Sequence, residues 1–159
     1  MKQQLKSFAC AFRGLWDAVC DESHLRFHLV AGFYVLLLAP LFGVSRVQYA
    51  VLIVLIAAVI AAELVNTAIE DVSDALTLQH NAYIRLAKDI AAGAVLVLAI
   101  AAVAVAVLFF AKWEAIMGVF RFFEQHIVLA VLLVLSAVPA VWFVWHGPRI
   151  VWHGPRKRK

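Results

Sequence analysis

Five of the ten carboxylates in this 159-residue chain fall between residues 61 and 89: Glu63, Glu70, Asp71, Asp74 and Asp89. The stretch follows one long apolar run and precedes another. At about 100° per residue, Glu63, Asn66, Glu70 and Asp74 occupy an arc of roughly 80° on one helix face. Acids on one stripe at the end of an apolar helix are costly unless something cationic meets them. The pattern predicts a site for a metal–nucleotide complex. Glu22 precedes the first apolar segment, Glu70 closes the second, and Lys88 and Asp89 open the third, so all are expected at one membrane face. Carboxylates from two helices can share a Mg²⁺ that also binds phosphate oxygens. Lys88, helped by the N-terminus of the third span, would neutralise phosphate charge. Glu63 lies deeper, where the hydroxyl of an amphiphile would be, which suits a general base.

The elements that must position these residues read clearly. The chain is 65% hydrophobic with mean hydropathy +0.93, outside the range of soluble domains. Leu5, Phe8, Phe12, Leu15 and Val19 recur at spacings of three and four, and Trp16 suits headgroup depth. Residues 1–26 therefore predict an amphipathic helix lying on the membrane. They do not resemble a signal peptide, because charges recur through them. Residues 27–45 carry no Asp, Glu, Lys or Arg and form a first span, ending near Pro40 and Gly43. The second starts near Val47 and must continue through Glu63 to reach full length. Ile90 to Ala111 is the third, rich in alanine. Residues 112–126 form an aromatic interfacial connector, and Ile127 to Trp145 a fourth span, bent at Pro139. The expected organisation is all-α: a surface helix over 1–26, a three-span core over 27–111, the connector, and an extra span with a basic tail over 127–159.

With the N-terminus in the cytoplasm, four spans put eleven Lys and Arg inside and three (Arg46, Lys112, Arg121) outside. That bias predicts cytoplasmic carboxylates. The net charge of +4 comes mostly from the ends. No basic run is interleaved with aromatics, so nucleic acid is not an expected partner, and lipid headgroups are. The two cysteines, Cys10 and Cys20, make no CxxC pair. The tail repeats V-W-H-G-P-R at 144–149 and 151–156, a local duplication rather than a solenoid. No glycine-rich phosphate loop occurs.

Structural alternatives stand beside these readings. Glu22 and Arg26, four apart, could simply pair on a helix. Lys88 could be a snorkelling anchor and Asp89 a helix N-terminal carboxylate. Asn66 could be interhelical glue. A cation-coupled transporter or channel subunit is the rival function, but it would want ionisable groups near mid-membrane, whereas these sit at one edge. A non-enzymatic assembly factor leaves the acidic stripe unexplained.

The run Glu63-Leu-Val-Asn66-Thr-Ala-Ile-Glu70 with Asp74, followed by Ala87-Lys88-Asp89 and a small-residue stretch, resembles the signature of prokaryotic diacylglycerol kinases and their undecaprenol kinase relatives. Ser7-Phe8, Ala11, Gly14 and the Glu22/Arg26 spacing also fit. The resemblance covers about residues 5–111. It implies a bacterial inner-membrane homotrimer with active sites shared between neighbours at the cytoplasmic face, using Mg²⁺ and ATP to phosphorylate the hydroxyl of a membrane lipid alcohol. It implies Glu63 as base, Glu22 and Glu70 as metal ligands, and Asn66, Lys88 and Asp89 as nucleotide contacts. Gln79, His80 and Asn81 fall in the loop near the nucleotide. Gln3 stands near the register of the family's N-terminal arginine, and the fourth span lies beyond the usual end of the domain. Arg26-Phe27-His28 and the 66–70 run look more like the undecaprenol branch.

Overall fold

A computed structural model describes residues 2–76 and 81–148. Among them are six α-helices, one 3-10 turn and no strand. Helix α1 spans Lys2–Asp21. Its Leu5, Phe8 and Phe12 remain about two-thirds exposed, which for an apolar stripe of this length fits a lipid interface rather than water. Its far end packs inward, with Val19 buried.

Helix α2, Ser23–Leu38, starts after a break at Glu22, whose backbone is extended (φ −103°, ψ 113°). It ends earlier than the uncharged run suggests. Pro40 has no N–H to continue the ladder, and a 3-10 turn over Ala39–Phe42 follows. Gly43 closes it at φ 66°, donating its N–H to the Pro40 carbonyl. Helix α3 then runs unbroken over Arg46–Leu76, 31 residues. At about 1.5 Å per residue that is roughly 46 Å, against a hydrocarbon core of about 30 Å. One helix therefore carries both the second span and the entire acidic stripe out beyond the membrane. The α2 and α3 backbones meet closely at Gly32, where a Cβ would lie 2.7 Å from Ile56 Cγ2.

Helix α4, Ala82–Phe110, begins about two turns before the apolar segment does. Asn81 caps it, its side chain accepting from the Tyr83 N–H at 2.9 Å. Lys88 and Asp89 thus lie in the second turn, and the capped terminus stands about 9 Å along the axis from Lys88. The helix therefore opens ahead of Lys88 rather than at it, and Asn81 uses one of its freed donors. At the other end of the bundle Phe42 and Phe110 pack edge-on at 4.9 Å. There the amphipathic α5, Trp113–Gln125, lies against the 3-10 turn.

Helix α6, Ile127–His146, returns through the membrane against α2, with Pro139 inside it. Two polar contacts select its face. Tyr34 Oη and Ser136 Oγ share a hydrogen bond of 2.7 Å, and Arg26 Nε donates to the Val144 carbonyl at 3.0 Å. Arg26, Val30 and Tyr34 form one i, i+4, i+8 row, so half-buried Val30 lies on the side of α2 that faces α6. Helix α2 together with the 3-10 turn (Ser23–Phe42), and helices α3, α4 and α6, are each long and apolar enough to cross a membrane.

Because Arg26 lies in the first turn of α2 and Val144 in the last turn of α6, the start of α2 and the end of α6 share one membrane face. A reporter active only in the cytoplasm should work after Lys159 and fail after Lys112. The reverse pattern would refute the four-span path.

Candidate active site

On α3 the stripe is graded by depth. Glu63 is 5% exposed, Asn66 and Glu70 are half-buried, and Asp74 is exposed. Thr67 and Ser73 are also buried. Asn66 donates from Nδ2 to Glu70 Oε1 at 2.9 Å, the i, i+4 contact of a helix face. Its Oδ1 is buried with no partner. An acceptor left unmade in this way costs about 1–3 kcal/mol, so the site is short of a donor or cation at that atom. Across the helix pair, Lys88 Nζ reaches Asp74 Oδ1 at 2.9 Å. Both groups are partly or largely exposed, and a pair of that kind contributes about 1 kcal/mol or less. It ties the outer ends of α3 and α4 together.

Beside the stripe, α1 and α3 enclose a groove of about 460 Å³. Ala11, Gly14 and Ala18 from α1 face Thr67 and Ala68 from α3, and Asp17, Asp21 and Asp71 rim it. Small side chains make the room. The spacing Ala11, Gly14, Ala18 was the sequence signal for this groove, and it sat beneath the more obvious apolar stripe of α1. Glu22, half-buried, stands at the corner where α1 becomes α2. Asp89 is exposed, and Asn81 is taken up by its cap. Gln79 and His80 lie outside the described residues.

Arg26 is the residue that pattern reading undervalued. It is 4% exposed. Its Nη1 donates to the carbonyls of Val19 (2.9 Å) and Cys20 (2.8 Å), and its Nε to that of Val144. A charged side chain four residues from Glu22 invites an ion-pair reading, yet these acceptors are the freed carbonyls at the ends of α1 and α6.

Among the described residues no three His, Cys, Asp or Glu side chains gather as a metal-binding group. Mg²⁺ does not require one, since it keeps waters and binds through one or two carboxylates plus substrate phosphates. Glu70 beside the unpartnered Asn66 Oδ1 is an all-oxygen donor pair and fits such an ion.

The family model for prokaryotic diacylglycerol kinase matches residues 9–110. The chain belongs to that family. It is a lipid kinase, built as a multi-pass membrane protein. It is 37% identical over 105 residues to an undecaprenol kinase of Bacillus subtilis, covering 66% of this chain and 85% of that protein. It is 39% identical over 102 residues to a diacylglycerol kinase of a Synechocystis species, covering 64% of this chain and 58% of that protein. No solved structure matches the chain. The matched region ends with α4, so α5 and α6 of this lipid kinase lie outside it. Family membership also decides against the transporter and assembly-factor readings.

Next to Glu22, burial raises the Cys20 thiol above its usual range, as do Asp21 and Asp17, while Arg26 pulls the other way. A raised thiol is mostly protonated near neutral pH, and the thiolate is the reactive form. Maleimide should therefore modify exposed Cys10 well before Cys20 near pH 7, scored by mass spectrometry of digests. Equal rates would contradict the half-buried, acid-flanked placement of Cys20.

Proposed function

We propose that this lipid kinase transfers the γ-phosphate of ATP to the hydroxyl of a membrane lipid alcohol at the cytoplasmic face of a bacterial inner membrane. The observation that carries the reading is a carboxylate buried at the inner end of a stripe whose outer end opens to water, on a chain of this family. Glu63 accepts the proton of the alcohol as its oxygen attacks the γ-phosphorus, and the bond to the β-phosphate oxygen of ADP breaks. Asn66 and Glu70, about one and two turns further out, hold each other in place. Lys88 is kept at the mouth by Asp74, in a pair weak enough to yield to a triphosphate. Glu22 and Glu70, with the free acceptor of Asn66, would hold Mg²⁺. When bound, that ion neutralises phosphate charge. Asp89 and the 79–81 loop complete the nucleotide contacts on this reading. Catalysis then comes chiefly from positioning and charge neutralisation. The functional unit is a homotrimer with sites shared between neighbours, as the family resemblance implies.

Glu63→Gln keeps size and hydrogen bonding but cannot take the proton. Turnover should fall about 100-fold or more, while ATP binding persists. Near-normal turnover in a correctly assembled protein would remove Glu63 from the role.

For the acceptor, a polyprenol is favoured over a diacylglycerol. The site needs only a hydroxyl at the depth of Glu63, so discrimination falls to the neighbouring surface of α2. Phe33 is exposed there beside half-buried Leu29, and Phe27 is exposed on another side of the helix. Val30 is on the side facing α6 and contributes little to an open groove. Such a lining has few partners for the two esters of a diacylglycerol, and unpaired polar groups cost affinity. The higher kcat/KM should belong to undecaprenol when both are assayed in one bilayer. A clear preference for diacylglycerol would reverse the assignment and leave the kinase reading standing.

A further inference from the structure

We propose that the fourth span is a brace for the active site, acting through Arg26 to fix the corner that carries Glu22. Arg26 is thus a positioning residue, and the proposal rests on the reading of Glu22 as a metal ligand.

The corner is a single residue. Glu22 leaves helical geometry (φ −103°, ψ 113°) between two helices. It is hinged by its own N–H to the Ala18 carbonyl at 2.8 Å and by its carbonyl to the Arg26 N–H at 3.2 Å. Arg26 Nη1 binds the carbonyls of Val19 and Cys20, the last turn of α1 before the corner. The angle at Glu22 is therefore set by one guanidinium anchored on α2. That guanidinium is held in turn from α6, by the Val144 carbonyl on Nε and by Gly147 lying over its face. A Cβ on Gly147 would stand 2.8 Å from Arg26 Nη1, 2.9 Å from Cζ and 3.2 Å from the Cys20 carbonyl oxygen. Gly147 also sits at φ 61°, ψ 176°, a region open essentially to glycine alone. Val144 and Gly147 belong to the first copy of the V-W-H-G-P-R repeat, which gives that copy a structural use. A guanidinium offers a rigid fork of five donors, so moving one acceptor displaces the others and turns the corner.

The test measures the Mg²⁺ concentration for half-maximal rate, and kcat at saturating Mg²⁺, for full-length Gly147→Val, Arg26→Lys, Ser136→Ala and Glu22→Gln in one bilayer. Gly147→Val adds atoms against the fork, and Arg26→Lys keeps the charge but loses the fork. Both should raise the Mg²⁺ requirement roughly five- to tenfold, about the factor one hydrogen bond carries, with kcat within about twofold of the parent. Ser136→Ala removes the other α2–α6 hydrogen bond, remote from Glu22, and should leave the requirement unchanged. A brace that merely stabilised the bundle would make all three α6-contact variants alike, or lower kcat without moving the requirement, and either result overturns the proposal. Because Gly147→Val can fail to assemble, Arg26→Lys decides alone in that event. Glu22→Gln separates the two readings. If it does not shift the requirement, Glu22 is not a ligand and both fall. If it shifts while Gly147→Val and Arg26→Lys do not, the brace alone falls.

Discussion

A guanidinium buried where three helices meet is the constraint on which the arrangement of this protein depends. Removing an arginine from water is expensive, and it is tolerable only when its N–H groups find acceptors. Arg26 finds them among carbonyls that the ends of α1 and α6 leave free. Two deficits cancel: a cation needs acceptors, and helix C-termini need donors. The consequence is geometric. The surface helix, the first span and the last span are fastened at one membrane face, and the path of the chain between them must make an even number of crossings.

The second organising fact is the length of α3. A helix of 31 residues is too long to end at the membrane surface, so the residues after the span remain on the same rigid rod. Glu63 is buried, Asn66 and Glu70 are half-buried, and Asp74 is in water, all on one face. From Glu63 to Asp74 is about 16 Å along the axis. On the proposed reading this gradient sorts the reactants without a moving part, with the lipid hydroxyl at the deep end and the phosphates at the wet end. The Asn66–Glu70 hydrogen bond keeps the middle of the stripe in one rotamer, the pre-organisation that positioning-dominated catalysis requires.

How far the sequence was legible follows the kind of signal each feature leaves. Spans are written in uninterrupted apolar runs, and all four crossing helices lie where those runs are. The acidic stripe was legible because helical periodicity is regular over α3. Boundaries were less so. Residues 23–26 and 82–89 are helical although charges interrupt them, since hydropathy marks where lipid is and not where a helix begins. The cap at Asn81 is the kind of local signal that refines such a start. Arg26 was the harder case. Its type and spacing suggested an ion pair, and its acceptors are backbone atoms, one of them 118 residues away. Carbonyl acceptors have no residue type, so no pattern of side chains announces them. Gly147 is similar: its role comes from φ and from a neighbour's position, neither of which a glycine in a duplicated tail advertises.

The way α6 is attached bears on why a further span can be added to such a kinase at all. In lipid there is no hydrophobic force to press one apolar helix on another, and association rests on close packing and polar contacts. No residue of α6 is buried, and its half-buried row mixes the small Ala130, Ser136 and Ala140 with the larger Leu133, Phe143 and Val144. Its orientation is fixed further by two hydrogen bonds, Tyr34 with Ser136 in mid-span and Arg26 with Val144 at the end. Of the two, only the second joins a charge to a backbone group, and such bonds are about twice as strong as neutral ones. The span is therefore held most firmly at the membrane face where α1, α2 and the acidic end of α3 converge, and least firmly at the opposite face. A helix attached in this manner perturbs the three-span core little along its length and influences it chiefly at one point, the corner beside Glu22.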